Sequence, residues 1–214
     1  MSSRDEILQR VRAGVGRGAA AERRAAAEAW IDGRKRGPQP TLGADLAGRF
    51  ISKAESLASS VGRIAGRADL PAAVARFLAA GELGTAAVIA PELADLDWAG
   101  SGLTVAARPA VDHDTVGITG CFCAIAETGT LLLLSGPQTP ATVSLLPETH
   151  IALVDERRIV GTMEEAFALL RAEHGHLPRA LNFISGPSRT GDIEQTIVLG
   201  AHGPRRVHLL IAGG

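Results

Sequence analysis

The chain has 214 residues, 46% of them hydrophobic and 21% charged, with a formal net charge of −1. That balance excludes an intrinsically disordered chain, and the near-neutral charge excludes a global field that would draw nucleic acid or an anionic membrane. Aromatic residues make up only 3% and tyrosine is absent, which argues against a surface on which bases stack.

Residues 1–60 read as a helical N-terminal arm. Ser3 and Glu6 have the spacing of a capping box, followed by Ile7, Leu8 and Val11 at helical intervals. The stretch "RGAAAERRAAAEAWIDGRKR" is rich in helix formers and is expected to run to Gly37-Pro38-Gln39-Pro40. Residues 1–36 carry nine basic against five acidic side chains, a pattern that suits a solvated helix face or a docking arm for an acidic partner. "GVGRG" at 14–18 lacks the preceding strand and the third glycine of a dinucleotide loop. A third helix is expected after Thr41, with Leu42, Leu46, Phe50 and Leu57 on one side.

From residue 61 to 214 strands and helices alternate. "DLPAAVARFLAAG" predicts a helix with Asp69 and Pro71 at its start and Gly81 at its stop. "TAAVIA", "GLTVAA" and "THIALVD" read as buried strands, and Thr162 with Glu165 opens the helix "MEEAFALLRAEH". "ALNFIS" and "RRVHLLIAG" are the last expected strands. This alternation predicts an α/β domain, a mostly parallel sheet covered by helices on both faces. The exception is "VGITGCFCAIAETGTLLLLSGPQTP" at 116–140, which reads as a strand, a tight turn at Glu127-Thr128-Gly129, and a second strand. Cys121 and Cys123 would point to opposite faces of an extended segment, which disfavours a disulfide between them and fits a reducing compartment. No apolar run reaches the ~18–20 residues of a membrane span, and the N-terminus lacks the apolar core of a secretory signal. The expected location is cytoplasmic.

The polar candidates gather near the end of the chain. In "SGPSRTGDIEQTIVLGAHGP" a turn of Gly186, Ser188, Arg189 and Thr190 is expected to lead into a helix beginning near Asp192. Such a helix start would offer unpaired N–H groups to a phosphate or carboxylate, with Arg189 as a second partner. Equally, Ser188 or Thr190 could cap that helix and Arg189 pair with Asp192. Gly200 is placed at the helix end, and His202 with Gly203 in the next turn, where an accessible imidazole could exchange protons. The two turns are then two rims of one cleft, and Glu127, Arg189 and His202 are expected to line it at the carboxyl edge of the sheet. Glu127, flanked by apolar residues, is a candidate acid/base or nucleophile whose charged form burial would disfavour, with Thr128 and Gly129 beside it. The six histidines lack the spacing of a metal site, so no metal is expected. No phosphate loop or nucleophile elbow occurs.

"AIAETGTLLL" at 124–133, "SLLPETHIALV" at 144–154 and "SGPSRTGDIEQTIVLGAHGPRRVHLLI" at 185–211 resemble the lactate-utilisation protein C family, built on the LUD domain. The resemblance implies a fold similar to ribose-5-phosphate isomerase, glucosamine-phosphate deaminase and coenzyme A transferases. It also implies an accessory role in oxidising L-lactate to pyruvate beside iron–sulfur partner proteins, with the clusters in those partners and no cofactor in this chain. Two cysteines, against the four a cluster takes, agree with that division. The alternative is a stand-alone enzyme of coenzyme A transferase or sugar-phosphate isomerase type, in which Glu127 matches the transferase Glu-x-Gly turn.

Overall fold

The computed structural model of the chain describes residues 3–15, 20–190 and 198–213. The chain divides into two compact units, Met1–Gln39 and Pro40–Gly214. The first holds helices α1 (Ser3–Val15) and α2 (Ala20–Gly33). Ion pairs between Glu6 and Arg10 and between Arg24 and Glu28 lie along exposed helix faces, where each contributes only a few tenths of a kcal/mol. The second helix stops at Gly33, short of the Gly37-Pro38 expected, because Arg34 turns left-handed with φ of 42°. Ile7, Val11, Trp30 and Ile31 are exposed.

In the second unit the chain-order strands are β1 (Ser60–Ile64), β2 (Ala86–Ile89), β3 (Thr104–Ala107), β4 (Val116–Thr119), β5 (Cys123–Ile125) and β6 (Thr130–Leu134). They continue as β7 (Thr149–Asp155), β8 (Ile159–Val160), β9 (Leu181–Ile184), β10 (Arg189–Thr190), β11 (Val198–Leu199) and β12 (Arg206–Ala212). Four helices accompany them: α3 (Leu46–Ser56), α4 (Leu70–Ala80), α5 (Thr142–Leu145) and α6 (Met163–His174). Among the described residues a six-stranded sheet runs in the order β1-β12-β7-β4-β2-β3 with every neighbour parallel. A second, four-stranded sheet runs β8-β5-β6-β9, with β5 and β6 the antiparallel hairpin expected around Glu127. No helix among the described residues is long and apolar enough to cross a membrane.

Side-chain alternation along the parallel strands builds two cores. One face carries Ile64, Ile89, Ile118, Ile151, Leu153 and Leu210, packed against Leu70, Val74 and Leu78 of α4. The other carries Ala152, Val154, Leu209 and Ile211, packed against Phe50 and Ala54 of α3 and the inward side of the small sheet. The outer side of that sheet, through Cys123, Ile125 and Leu132, packs against Ala166 of α6. Helices thus flank the assembly, and the small sheet lies between the parallel sheet and α6.

The expected boundary at residue 60 falls instead at 39/40. Phe50 and Ala54 are fully buried, so α3 belongs to the domain and not to the arm. Its start is fixed by Asp45, which accepts a hydrogen bond from the Gly48 N–H at 2.7 Å. A second correction concerns residues 188–200. Arg189 and Thr190 pair antiparallel with Leu199 and Val198, and the Gly200 N–H donates to the Ser188 carbonyl at 3.0 Å. Val198 and Leu199, expected in a helix that ends at Gly200, lie in this ladder instead, and Gly200 is left-handed, with φ of 83°. Asp192, with the rest of 191–197, lies outside the described residues.

Two predictions follow from the packing. Phe50→Ala should cost about 3–5 kcal/mol, read as a drop in the chemical-denaturation midpoint, whereas a loss below about 1 kcal/mol would contradict the burial of α3. His150 and His208 are both pushed down to about 4, in each case by burial, with a hydrogen bond donated by the His208 imidazole to the Ser60 backbone opposing it. Below pH ~6.5 the unfolded chain takes up these protons and the folded chain does not, so stability should fall as pH drops from about 6.5 towards 4. NMR titration should find both imidazoles neutral at pH 5.5; midpoints near 6.5 would contradict it.

Candidate functional site

In a parallel α/β sheet a crevice opens where neighbouring strands send their chains to opposite faces. Here that point lies between β2 and β4. After β2 the chain turns to the α4 face, where Leu93 joins the core; after β4 it crosses to the other face and enters β5, where Ala124 joins the second core. Glu92 and Gly120 stand across this gap, and the Gly120 N–H donates to Glu92 Oε1 at 3.0 Å.

Two cavities meet at Glu92, Gly120 and Cys121. The larger, of about 380 Å³, is lined by Thr119, Ser144, Leu133, Leu134 and Asn182, together with Phe122, Arg158 and His174. The smaller, of about 230 Å³, is lined by Arg67, Asp155, Arg157 and Gly213. Apart from Leu153, two residues inside β7, the lining residues of the smaller one lie at or just beyond the carboxyl end of a parallel strand.

The charged side chains around this cleft are largely held by one another. Arg158 donates to both Glu173 carboxylate oxygens at 2.7 and 2.9 Å and through Nε to the Phe122 carbonyl at 2.7 Å. Its guanidinium lies 4.6 Å above the Phe122 ring, and it holds the Glu173 carboxyl below the usual range. Arg67 forks onto Asp95 and donates to the Glu92 carbonyl. Burial raises the Glu92 carboxyl, opposed by the Gly120 N–H and the charge of Arg67, and contact with solvent at the mouth moderates that push. Cys121 and Cys123 are free thiols. Burial pushes both upward, Cys123 to about 11, so neither is poised as a thiolate.

Beneath the larger cavity Thr119 Oγ1 and His150 Nε2 share a hydrogen bond of 2.8 Å, with His150 fully buried. His150 Nδ1 and the Asn182 amide nitrogen are both buried without a hydrogen-bond partner.

The residues singled out from the sequence gather elsewhere. Thr128 donates to Thr130 at 2.8 Å, and Thr130 shares a 2.7 Å hydrogen bond with Ser185. Gly129 is left-handed, with φ of 68°, and a Cβ there would sit 2.6 Å from the Ala54 nitrogen. Gly186 is left-handed too, and its missing Cβ leaves room for the Leu57 carbonyl. Packing against the end of α3 thus accounts for both glycines. The Ser188 N–H donates to the Pro204 carbonyl at 2.8 Å, and Gly203 faces the Ser188 side chain. His202 and Gly203 immediately precede β12, and Leu57 immediately precedes β1, so this cluster lies at the amino edge of the parallel sheet.

The expectation that Glu127, Arg189 and His202 line a cleft at the carboxyl edge is therefore corrected. The hairpin β5–β6 closes at Glu127 on one end and opens at Phe122 and Leu134 on the cavity end; the four steps from Thr130 to Leu134 span about 13 Å. Glu127 is half-buried, its N–H donating to the Gly161 carbonyl at 2.9 Å, and Arg189 and His202 are exposed. The residues missed, Glu92, Gly120, Cys121 and Arg158, each follow a strand that was legible in the sequence.

Known proteins align with this architecture. A lactate utilization protein C of a Geobacillus species is 42% identical over 103 residues, 47% of this chain and 43% of the relative. That of Deinococcus radiodurans is 36% identical over 154 residues, covering 68% and 70%. The chain thus spans less than half the length of the Geobacillus relative. A solved structure of a DUF162 family protein from Deinococcus radiodurans superposes with a TM-score of 0.59 at 27% identity, covering 82% of this chain and all of that one. The LUD domain family matches residues 48–212, from within α3 to the last strand. The chain belongs to the LUD domain family.

Proposed function

We propose that this chain supports lactate utilisation as an accessory protein in the oxidation of L-lactate to pyruvate, acting with iron–sulfur partner proteins and holding a small anionic ligand. The reading is supported by the relatives called lactate utilization protein C, which align over 103 and 154 residues of this chain. The observation that carries the ligand half is the cleft between β2 and β4, at the edge of a parallel sheet where small molecules bind. The exposed Ile7, Val11, Trp30 and Ile31, set among the arm's basic side chains, supply a docking face for the partners. The protein works in the cytoplasm.

In a bacterium carrying this gene, deletion should abolish growth on L-lactate while leaving growth on glucose unchanged. A tagged chain purified from lactate-grown cells should bring iron–sulfur proteins with it, and fewer with Trp30→Ala and Ile31→Ser combined. Intact growth on lactate together with an empty pull-down overturns the proposal. Glu127→Gln should complement the deletion as well as the native chain does. A well-folded Glu127→Gln that fails to complement would point to carboxylate catalysis of the transferase kind.

A further inference from the structure

The larger cavity has a polar floor, an apolar wall and more room than a three-carbon acid needs. Pyruvate has six heavy atoms and takes roughly the space of three or four waters at about 30 Å³ each. That is about a quarter of the 380 Å³ present.

The polar floor has a defined direction. His150 is fully buried and neutral at ordinary pH, so it carries one ring proton. On Nδ1 that proton would be a buried donor with no acceptor, a costly arrangement that folded chains avoid. It therefore sits on Nε2 and is donated to Thr119 Oγ1 across the 2.8 Å contact. Thr119 is thereby left with its own O–H to donate, and it lines the cavity. Asn182 lines the same cavity, paired in register with Leu133, its buried amide nitrogen also without a partner. One cavity is thus lined by two residues whose donors are left without acceptors. Phe122, Leu133, Leu134 and Pro140 form the apolar wall beside them.

We propose that this cavity binds a 2-oxo or 2-hydroxy carboxylic acid carrying an apolar tail longer than that of lactate or pyruvate. The acid's oxygens accept from the Thr119 hydroxyl and the Asn182 amide, and the tail lies on Phe122, Leu133, Leu134 and Pro140. The inference rests on the reading of the cleft as an anion site and narrows it to a substrate class.

Calorimetric titration of the full chain with straight-chain 2-oxo acids of three to six carbons tests it. Affinity should rise about fourfold per added methylene, the equivalent of about 0.8 kcal/mol. Thr119→Val and Asn182→Leu should each weaken binding of the six-carbon acid by about tenfold or more. Asn182→Leu removes a buried unpaired amide, so its thermal midpoint should hold or rise while binding falls, a divergence that a structural role would not produce. Equal affinity along the series overturns this inference and leaves the lactate-utilisation reading standing. So does undiminished binding by both variants. No binding by any acid overturns the inference and the ligand half of that reading together. The expected series, in a protein whose deletion spares growth on lactate, removes the pathway reading alone.

Discussion

The central strand pair β7–β12 is the constraint on which the molecule depends. Seven residues of each run side by side in parallel register, Thr149 opposite Arg206 through Asp155 opposite Ala212. Both strands are buried on both faces, so their alternating side chains feed both cores at once. A one-residue slip would exchange Ile151 with Ala152 and Leu210 with Leu209 between cores of different shape. β4 pairs with the other edge of β7, and its exit towards the second sheet creates the crevice beside β2.

That arrangement gives the two edges of the sheet different characters. At the amino edge, glycines and short hydrogen bonds join the turns at 127–129, 185–188 and 200–204 to the end of α3. Gly129 and Gly186 are needed there because backbone from α3 occupies the space a side chain would take. At the carboxyl edge the layers separate, and polar groups line a cavity of about 380 Å³. Ion pairs such as Arg158–Glu173 hold the walls in place, while Thr119 and Asn182 keep unused donor capacity. Unused donors in a concave, partly apolar space are the mark of a binding site.

Much of the fold was legible. β7 and α6 fall at the residues that apolar runs and the Thr162 cap indicate, because a parallel-sheet core writes itself as continuous apolar stretches and helices announce their ends. The hairpin at 123–134 was legible from the two runs flanking Glu127. The role of α3 was only half legible: Leu46, Phe50 and Leu57 give it a clearer apolar side than the arm helices have, but the partner of that side is shown only by the tertiary burial of Phe50 and Ala54. The pairing of Arg189 and Thr190 with Leu199 and Val198 was hidden by a composition that suits helix and strand alike. The site was legible in principle: His202 leads into a parallel strand and so belongs to the amino edge, whereas Glu92, Gly120 and Arg158 follow strands. Conspicuous glycines drew attention to a packing cluster. The pairing of Thr119 with His150 and the isolation of Asn182 depend on neighbouring strands meeting, which spacing along one chain does not encode.

A crystal structure of the full chain soaked with a six-carbon 2-oxo acid would test most directly whether the carboxyl edge is the working face. The account predicts the acid within hydrogen-bond reach of Thr119 and Asn182, its tail against Phe122 and Leu134. Acid bound instead between Arg189 and His202, with the cavity beside Glu92 holding only water, would contradict it.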